Sequence, residues 1–197
     1  MLIGPARERG FSLIEILITL AIIAMVMGLA GPSALVWIQN LQLRNAADAV
    51  LGGMQTARLE ALKRNTNVAF ELTDPSSTAW HVCLFDAVAD ACQAGQPDLA
   101  SRGASEGSPN AKVGVETTFT NTNIPLGPGV NVPSLVAFDS FGRVSTLSPF
   151  NIARVDVRNP TLSAADERRL SILVAAAGEI RMCDPQLAKA TNPQGCQ

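Results

Sequence analysis

Glu15 stands at the head of an apolar stretch, four residues after Phe11. A carboxylate there costs on the order of 2–3 kcal/mol to place in a bilayer, so it needs a counter-charge or a purpose. Four cysteines fall into two close pairs in sequence, Cys83 with Cys92 and Cys183 with Cys196. Such pairs make disulfides or hold a metal. His81 is the only imidazole in the chain. Between Arg143 and Gln197, seven basic residues stand against five acidic ones, whereas Glu71–Gly142 carries two against eight. Arg154, Arg158, Arg168, Arg169, Arg181 and Lys189 would attract phosphate if they shared one face, although a solvated, salt-bridged surface is the favoured reading. Signals for catalysis are thin. His81 falls on an expected strand with no nucleophile motif nearby, and no phosphate-binding loop, dinucleotide glycine pattern or paired-carboxylate motif occurs. The chain reads as a protein that is not an enzyme.

The elements that must position these residues begin with an uninterrupted apolar run. From Ile16 to Ile38 there is no charged residue. At about 1.5 Å per residue this stretch spans roughly 34 Å as a helix, enough for a bilayer core. A secretory signal fits poorly, because its apolar region is about 7–15 residues long and ends at a small-residue cleavage site. Arg7 and Arg9 precede the run and the next basic residue is Arg44, which places the N-terminus in the cytoplasm and the rest outside it. Beyond Trp37 the pattern becomes amphipathic. Leu43, Ala47, Val50, Met54, Ala57 and Ala61 form one apolar stripe, opposite Arg44, Asp48, Gln55, Arg58, Glu60 and Arg64. This half-helix is expected to pack on its own β-sheet, in preference to a coiled coil. Gly52-Gly53 is a local weak point in it.

The remainder alternates at strand period. Strands are expected at Val68–Leu72 and at Trp80–Phe85, with weaker candidates at Lys112–Phe119 and Leu135–Phe138. Asp139-Ser140-Phe141-Gly142 then turns into Arg143–Leu147. Further strands are expected at Ala153–Arg158, Arg169–Ala175 and Glu179–Cys183, with Ala177-Gly178 at the last hairpin tip. One long helix followed by many short antiparallel strands gives an α+β fold. Three cysteine pairings are possible, and sequence alone does not choose among them. With this domain outside the cytoplasm, the local disulfides Cys83–Cys92 and Cys183–Cys196 are expected. Closing the second loop contributes about 3 kcal/mol in the chain-entropy model. It would staple a tail with few apolar residues. Zinc is disfavoured because the cysteine spacing is not C-x2-C and His81 stands alone. A formal net charge of −2 and the scarcity of aromatic residues give no global attraction to nucleic acid or anionic lipid.

The stretch Gly10-Phe11-Ser12-Leu13-Ile14-Glu15, followed by the apolar helix, closely resembles the class III signal of type IV prepilins and type II secretion pseudopilins. That resemblance implies cleavage between Gly10 and Phe11 by a membrane prepilin peptidase, methylation of Phe11, and retention of the helix. Glu15 of one subunit would then pair with the new ammonium group at Phe11 of a neighbour. Ala21, Ala24, Gly28, Ala30, Gly31 and Ala34 would allow close helix approach. Pro32 falls where many pilins carry a kinking proline.

Two later stretches narrow the resemblance to minor pilins and pseudopilins of the FimT/GspH type. Phe138-Asp139-Ser140-Phe141-Gly142-Arg143 looks like the F-x-x-x-G-R hairpin, and Gly178-Glu179-Ile180-Arg181-Met182-Cys183-Asp184-Pro185 looks like the C-terminal G-R-x-R and C-D-P segment. In some members the G-R-x-R arginines bind DNA. Here only Arg181 matches, because Glu179 holds the other position. Arg181, Arg143, Arg168, Arg169 and Lys189 are the candidate DNA contacts, opposed by the acid at Glu179.

The organisation implied is a leader at 1–10, a transmembrane and assembly helix at 11–38, an amphipathic half-helix at 39–66, and a periplasmic β-rich domain at 67–197 ending in a disulfide loop. The function implied is that of a minor pilin near a filament tip. The alternatives are a type II secretion pseudopilin and a DNA-binding pilin for transformation. Its partners would be other pilins through the N-terminal helix, the prepilin peptidase and the inner membrane. No cofactor and no metal are implied.

Overall fold

The computed structural model describes residues 11–74, 77–106, 108–119 and 134–196, and the backbone alone for residues 29–32. The leader with its cleavage point at Gly10, and the contributions expected of Ala30, Gly31 and Pro32, lie outside the described residues. The chain forms two compact units that divide between Trp37 and Ile38.

Helix α1 runs over Leu13–Arg64, 52 residues, against an average near 12. The acid Glu15 in its first turn and Lys63 and Arg64 in its last complement the helix dipole at both ends. Termination is local. Asn65 adopts a left-handed φ of 52°, and the Thr66 N–H donates to the Ala61 carbonyl at 3.3 Å. These are the marks of a Schellman C-cap with asparagine in the glycine position.

The strands divide into two antiparallel sheets. The first contains β1 (Val68–Leu72), β2 (Trp80–Asp86), β3 (Ala91–Cys92), β4 (Ala100–Arg102) and β6 (Leu135–Phe138). Its order is β3-β2-β1-β6, with β4 also pairing β2. The second contains β5 (Lys112–Glu116), β7 (Arg154–Arg158), β8 (Leu170–Val174) and β9 (Ile180–Cys183) in the order β5-β7-β8-β9. The expected strand at Arg143–Leu147 is reduced to a single bridge between Val144 and Phe138. Asp139 captures the chain there, accepting the N–H groups of Phe141 and Arg143 at 2.9 Å each, so a tight turn replaces a ladder.

Both sheets and the second half of α1 share one core. Leu43, Ala47, Val50, Met54, Ala57 and Ala61 are all buried, with Ala46 beside them. They pack against Val68, Phe70 and Val82 of the first sheet and Val113, Val155 and Ile172 of the second. Gly53 has a structural reason. A Cβ on it would come within 2.8 Å of the Phe70 ring and 2.9 Å of the Trp80 ring, so its bare backbone lets these aromatics close onto the helix.

Candidate functional site

Two places concentrate the residues singled out above, and each lies within one unit. The first is the head of α1. The Ser12 carbonyl accepts the N–H of Glu15 at 3.0 Å and of Ile16 at 3.2 Å, which opens the helix. Thr19 satisfies its hydroxyl within the helix, donating to the Ile16 carbonyl at 2.9 Å. Glu15 is exposed, and so is every other side chain from Phe11 to Gly28. Leu13, Ile14, Leu17, Ile18, Leu20 and Ile22 are between 54% and 75% accessible. A soluble helix hides one apolar stripe; this one is apolar on all sides, the pattern of a helix whose surroundings are lipid or other helices. Ala21, Ala24, Gly28 and Ala34 are likewise exposed on it. Among the described residues no single straight helix is long and apolar enough to cross a membrane. The segments Leu13–Gly28 and Ser33–Arg64 meet that test only together.

The second place is the C-terminal part of the domain, where the candidate DNA contacts lie. Arg143 is engaged by Asp139, with Nη2 at 3.0 Å and Nε at 3.1 Å from Oδ2, and its guanidinium lies 5.3 Å over the Phe141 ring. Arg169 and Arg158 both reach the buried carboxylate of Glu167, at 3.3 and 3.5 Å. Arg168 is exposed beside them. Arg181 donates to the Cys196 carbonyl at 3.3 Å. Together with Lys189, Glu179, Phe119 and Leu173 it lines an open hollow of about 370 Å³. Glu179 is thus on the same rim as Arg181.

Arg154 departs most from a basic surface patch. It is 2% exposed and makes a bidentate pair with buried Asp156, at 2.8 and 3.1 Å. Ser171 bridges the two, its hydroxyl donating to Asp156 Oδ1 at 2.5 Å while it accepts from Arg154 at 3.3 Å. The reason is that β7 is buried on both faces, Arg154–Val157 all being covered, so its polar face has to be satisfied internally.

Disulfides join Cys83 to Cys92 and Cys183 to Cys196. The second closes the tail, aided by the Asp184 N–H donating to the Gln194 carbonyl at 2.8 Å. Two features escape a reading of the sequence. The hairpin glycines Gly142 and Gly178, with φ of 74° and 82°, pack so closely that a Cβ on Gly178 would strike the Gly142 carbonyl oxygen. Arg58 of α1 donates to that same carbonyl at 2.9 Å. On the first sheet, Glu71 meets His81, which meets Asp98. The hairpin register, which sets Glu71 directly opposite His81, is the signal that would have found the first of these contacts.

A model of the type II transport protein GspH family matches residues 46–178, and a model of the prokaryotic N-terminal methylation motif matches residues 5–31. The chain belongs to the GspH family. The GspH match takes in the amphipathic half of α1, most of both sheets and the Gly142 turn, and ends at Gly178, just before Glu179 and Arg181. The methylation-motif match spans Phe11 and Glu15. The type IV minor pilin FimU of Pseudomonas aeruginosa has a similar crystal structure. At 14% identity the superposition covers 82% of this chain and 99% of that one, with a TM-score of 0.50. A second crystal form of FimU, also 14% identical, covers 78% of this chain and 99% of that one at a TM-score of 0.45. The first of these shows the fold: a long N-terminal helix packed on antiparallel sheets. No curated protein matches the sequence.

Proposed function

We propose that this GspH-family chain is a minor pilin, a structural subunit of a type IV pilus-like filament with no substrate turnover. In this reading residues 1–10 are a leader and 11–38 a helix held in the inner membrane. Residues 39–66 carry the amphipathic half that roots it in the periplasmic domain, 67–197. The observation that carries the reading is the apolar surface of residues 11–28, exposed on every side and interrupted by one carboxylate, Glu15. Lipid covers such a surface before assembly, and equivalent helices of other subunits cover it afterwards.

Cleavage after Gly10 leaves an ammonium group on Phe11. Glu15 of an adjoining subunit pairs with it, and each charge lowers the desolvation cost of the other most where the surroundings are least polar. The pairing sets the axial stagger between subunits. A position near the filament tip belongs to the same reading and rests on the resemblance to minor pilins. The family name supports equally a place in a type II secretion filament, which is the alternative reading.

The test is made in the native host. Mass spectrometry of the membrane-extracted protein should find a chain beginning at methylated Phe11, and Glu15→Ala should abolish its incorporation into sheared filaments. A chain that keeps its first ten residues, or normal incorporation of the alanine variant, overturns the proposal.

A further inference from the structure

We propose that Glu71, His81, Cys83 and Cys92 form a binding site for a thiophilic divalent cation of the zinc class, opened when the Cys83–Cys92 disulfide is reduced. The four residues come from three strands of the first sheet. His81 and Cys83 are two apart on β2 and so share a face. The β1–β2 register sets Glu71 opposite His81 and Ala69 opposite Cys83, and β3 pairs Cys92 with Phe85. One ligand atom from each of the four lies within 4.8 Å of all the others. His81 Nε2 is 3.3 Å from Glu71 Oε2 and 3.3 Å from the Cys92 sulfur.

The far side of the imidazole carries the second observation. His81 Nδ1 lies 3.0 Å from Asp98 Oδ1. When Nδ1–H is donated to a carboxylate, the lone pair is fixed on Nε2, here the nitrogen that faces the cluster. Metal-bound histidines are oriented by this same arrangement. The cluster is also sheltered yet reachable: Cys83 is buried, while the Glu71 and His81 side chains are 24% and 21% exposed.

Donor chemistry selects the ion. Two thiolates, an imidazole and a carboxylate suit a tetrahedral zinc-class ion and do not suit magnesium or calcium. The bonded disulfide offers no thiolate and holds its sulfurs about 2 Å apart. Two thiolates on one tetrahedral zinc sit about 3.8 Å apart, given Zn–S bonds of about 2.3 Å. A dithiol reductant transfers its electron pair to the S–S bond, leaving two protein thiols and its own cyclic disulfide. Binding of the cation then releases the two thiol protons. In the reduced chain the metal takes over the tie between β2 and β3 that the disulfide makes in the oxidised one.

A plainer account leaves His81 as a hydrogen-bonding bridge between Glu71 and Asp98, indifferent to metal in either redox state. Cobalt(II) separates the two. The full chain in detergent, reduced with a phosphine, should develop the intense visible bands of tetrahedral cobalt with thiolate charge transfer in the near ultraviolet. Zinc(II) should bleach them, and the oxidised chain should stay colourless. His81→Ala and Glu71→Gln should each weaken cobalt binding at least tenfold, and Asp98→Asn about tenfold through the ring orientation alone. Bands that survive His81→Ala unchanged assign the thiolates elsewhere and overturn the site. Absence of bands in a reduced chain with native circular dichroism overturns it as well. So does a reduced chain that loses its native spectrum and does not regain it with cobalt.

Discussion

At the scale of single residues, a charge gains meaning from what surrounds it. Glu15 is one carboxylate on an apolar helix surface, and the counter-charge proposed for it is supplied by an adjoining subunit. Asp139 is the opposite case, satisfied wholly within its own turn. Burial acts to raise its pKa. The N–H groups of Arg143 and Phe141 and the Arg143 guanidinium outweigh that and hold the carboxyl below its usual range. A carboxyl depressed in the folded state contributes stability above its unfolded pKa, near 3.9, and loses it as pH falls through the lower folded value. Asp139→Asn should therefore lower the melting temperature at neutral pH, and the gap from the parent should narrow steadily as pH is taken below about 4. Thermal melts at a series of pH values check this; a gap that stays constant down to low pH would show that Asp139 acts through shape alone.

At the scale of elements, neighbouring residues of one type behave in opposite ways. Gly53 sits under the Phe70 and Trp80 rings, whereas a Cβ on Gly52 would meet nothing within 4 Å. Gly53→Ala should cost about 1–3 kcal/mol through overpacking. Gly52→Ala should raise stability by about 0.5–1 kcal/mol, the helix-propensity difference. Urea unfolding of the two variants gives both signs in one experiment. The buried ion pair on β7 follows another rule. Arg154→Met strands Asp156 in the interior and should cost about 3–5 kcal/mol, while adding Asp156→Leu should recover most of the loss. A double variant as unstable as the single one would mean that the cost lies in shape instead of in the stranded charge.

The sequence exposes these elements unevenly. The stripe from Leu43 to Ala61 is legible because a helix over a sheet repeats its burial every three or four residues. The partition into two sheets is not, since strand period marks a strand and does not mark its partner. β3 and β4 span two and three residues, too short for any period, and exist because the edge of β2 offers them hydrogen bonds. Arg154 and Asp156 read as a solvent face because they alternate with Val155 and Val157. Covering both faces of β7 reverses that reading.

At the scale of the whole molecule, the distribution of charge and apolar surface decides what the chain can meet. The exposed apolar surface is concentrated before Ile38, and the buried core begins at Leu43. Of the basic residues after Gly142, Arg154 is buried on Asp156, Arg158 and Arg169 share Glu167, and Arg143 is held by Asp139. Arg168 is exposed, and Arg181 and Lys189 line one hollow together with the acid Glu179. Two or three phosphate contacts opposed by a carboxylate fall short of what non-specific duplex binding draws on, which holds at about 10⁻⁴–10⁻⁶ M in physiological salt when a larger basic face is present. The full chain in detergent should accordingly show no anisotropy change with labelled duplex DNA at physiological salt, up to about 100 µM protein. Glu179→Arg removes the acid and completes the G-R-x-R pattern. It should bring measurable binding at low salt, and further substitution of Arg181 by Ala should lower the slope of log K against log salt by about one unit. Tight salt-sensitive binding by the unaltered chain would show instead that Glu179 does not screen the hollow, and would make nucleic acid a partner of the domain.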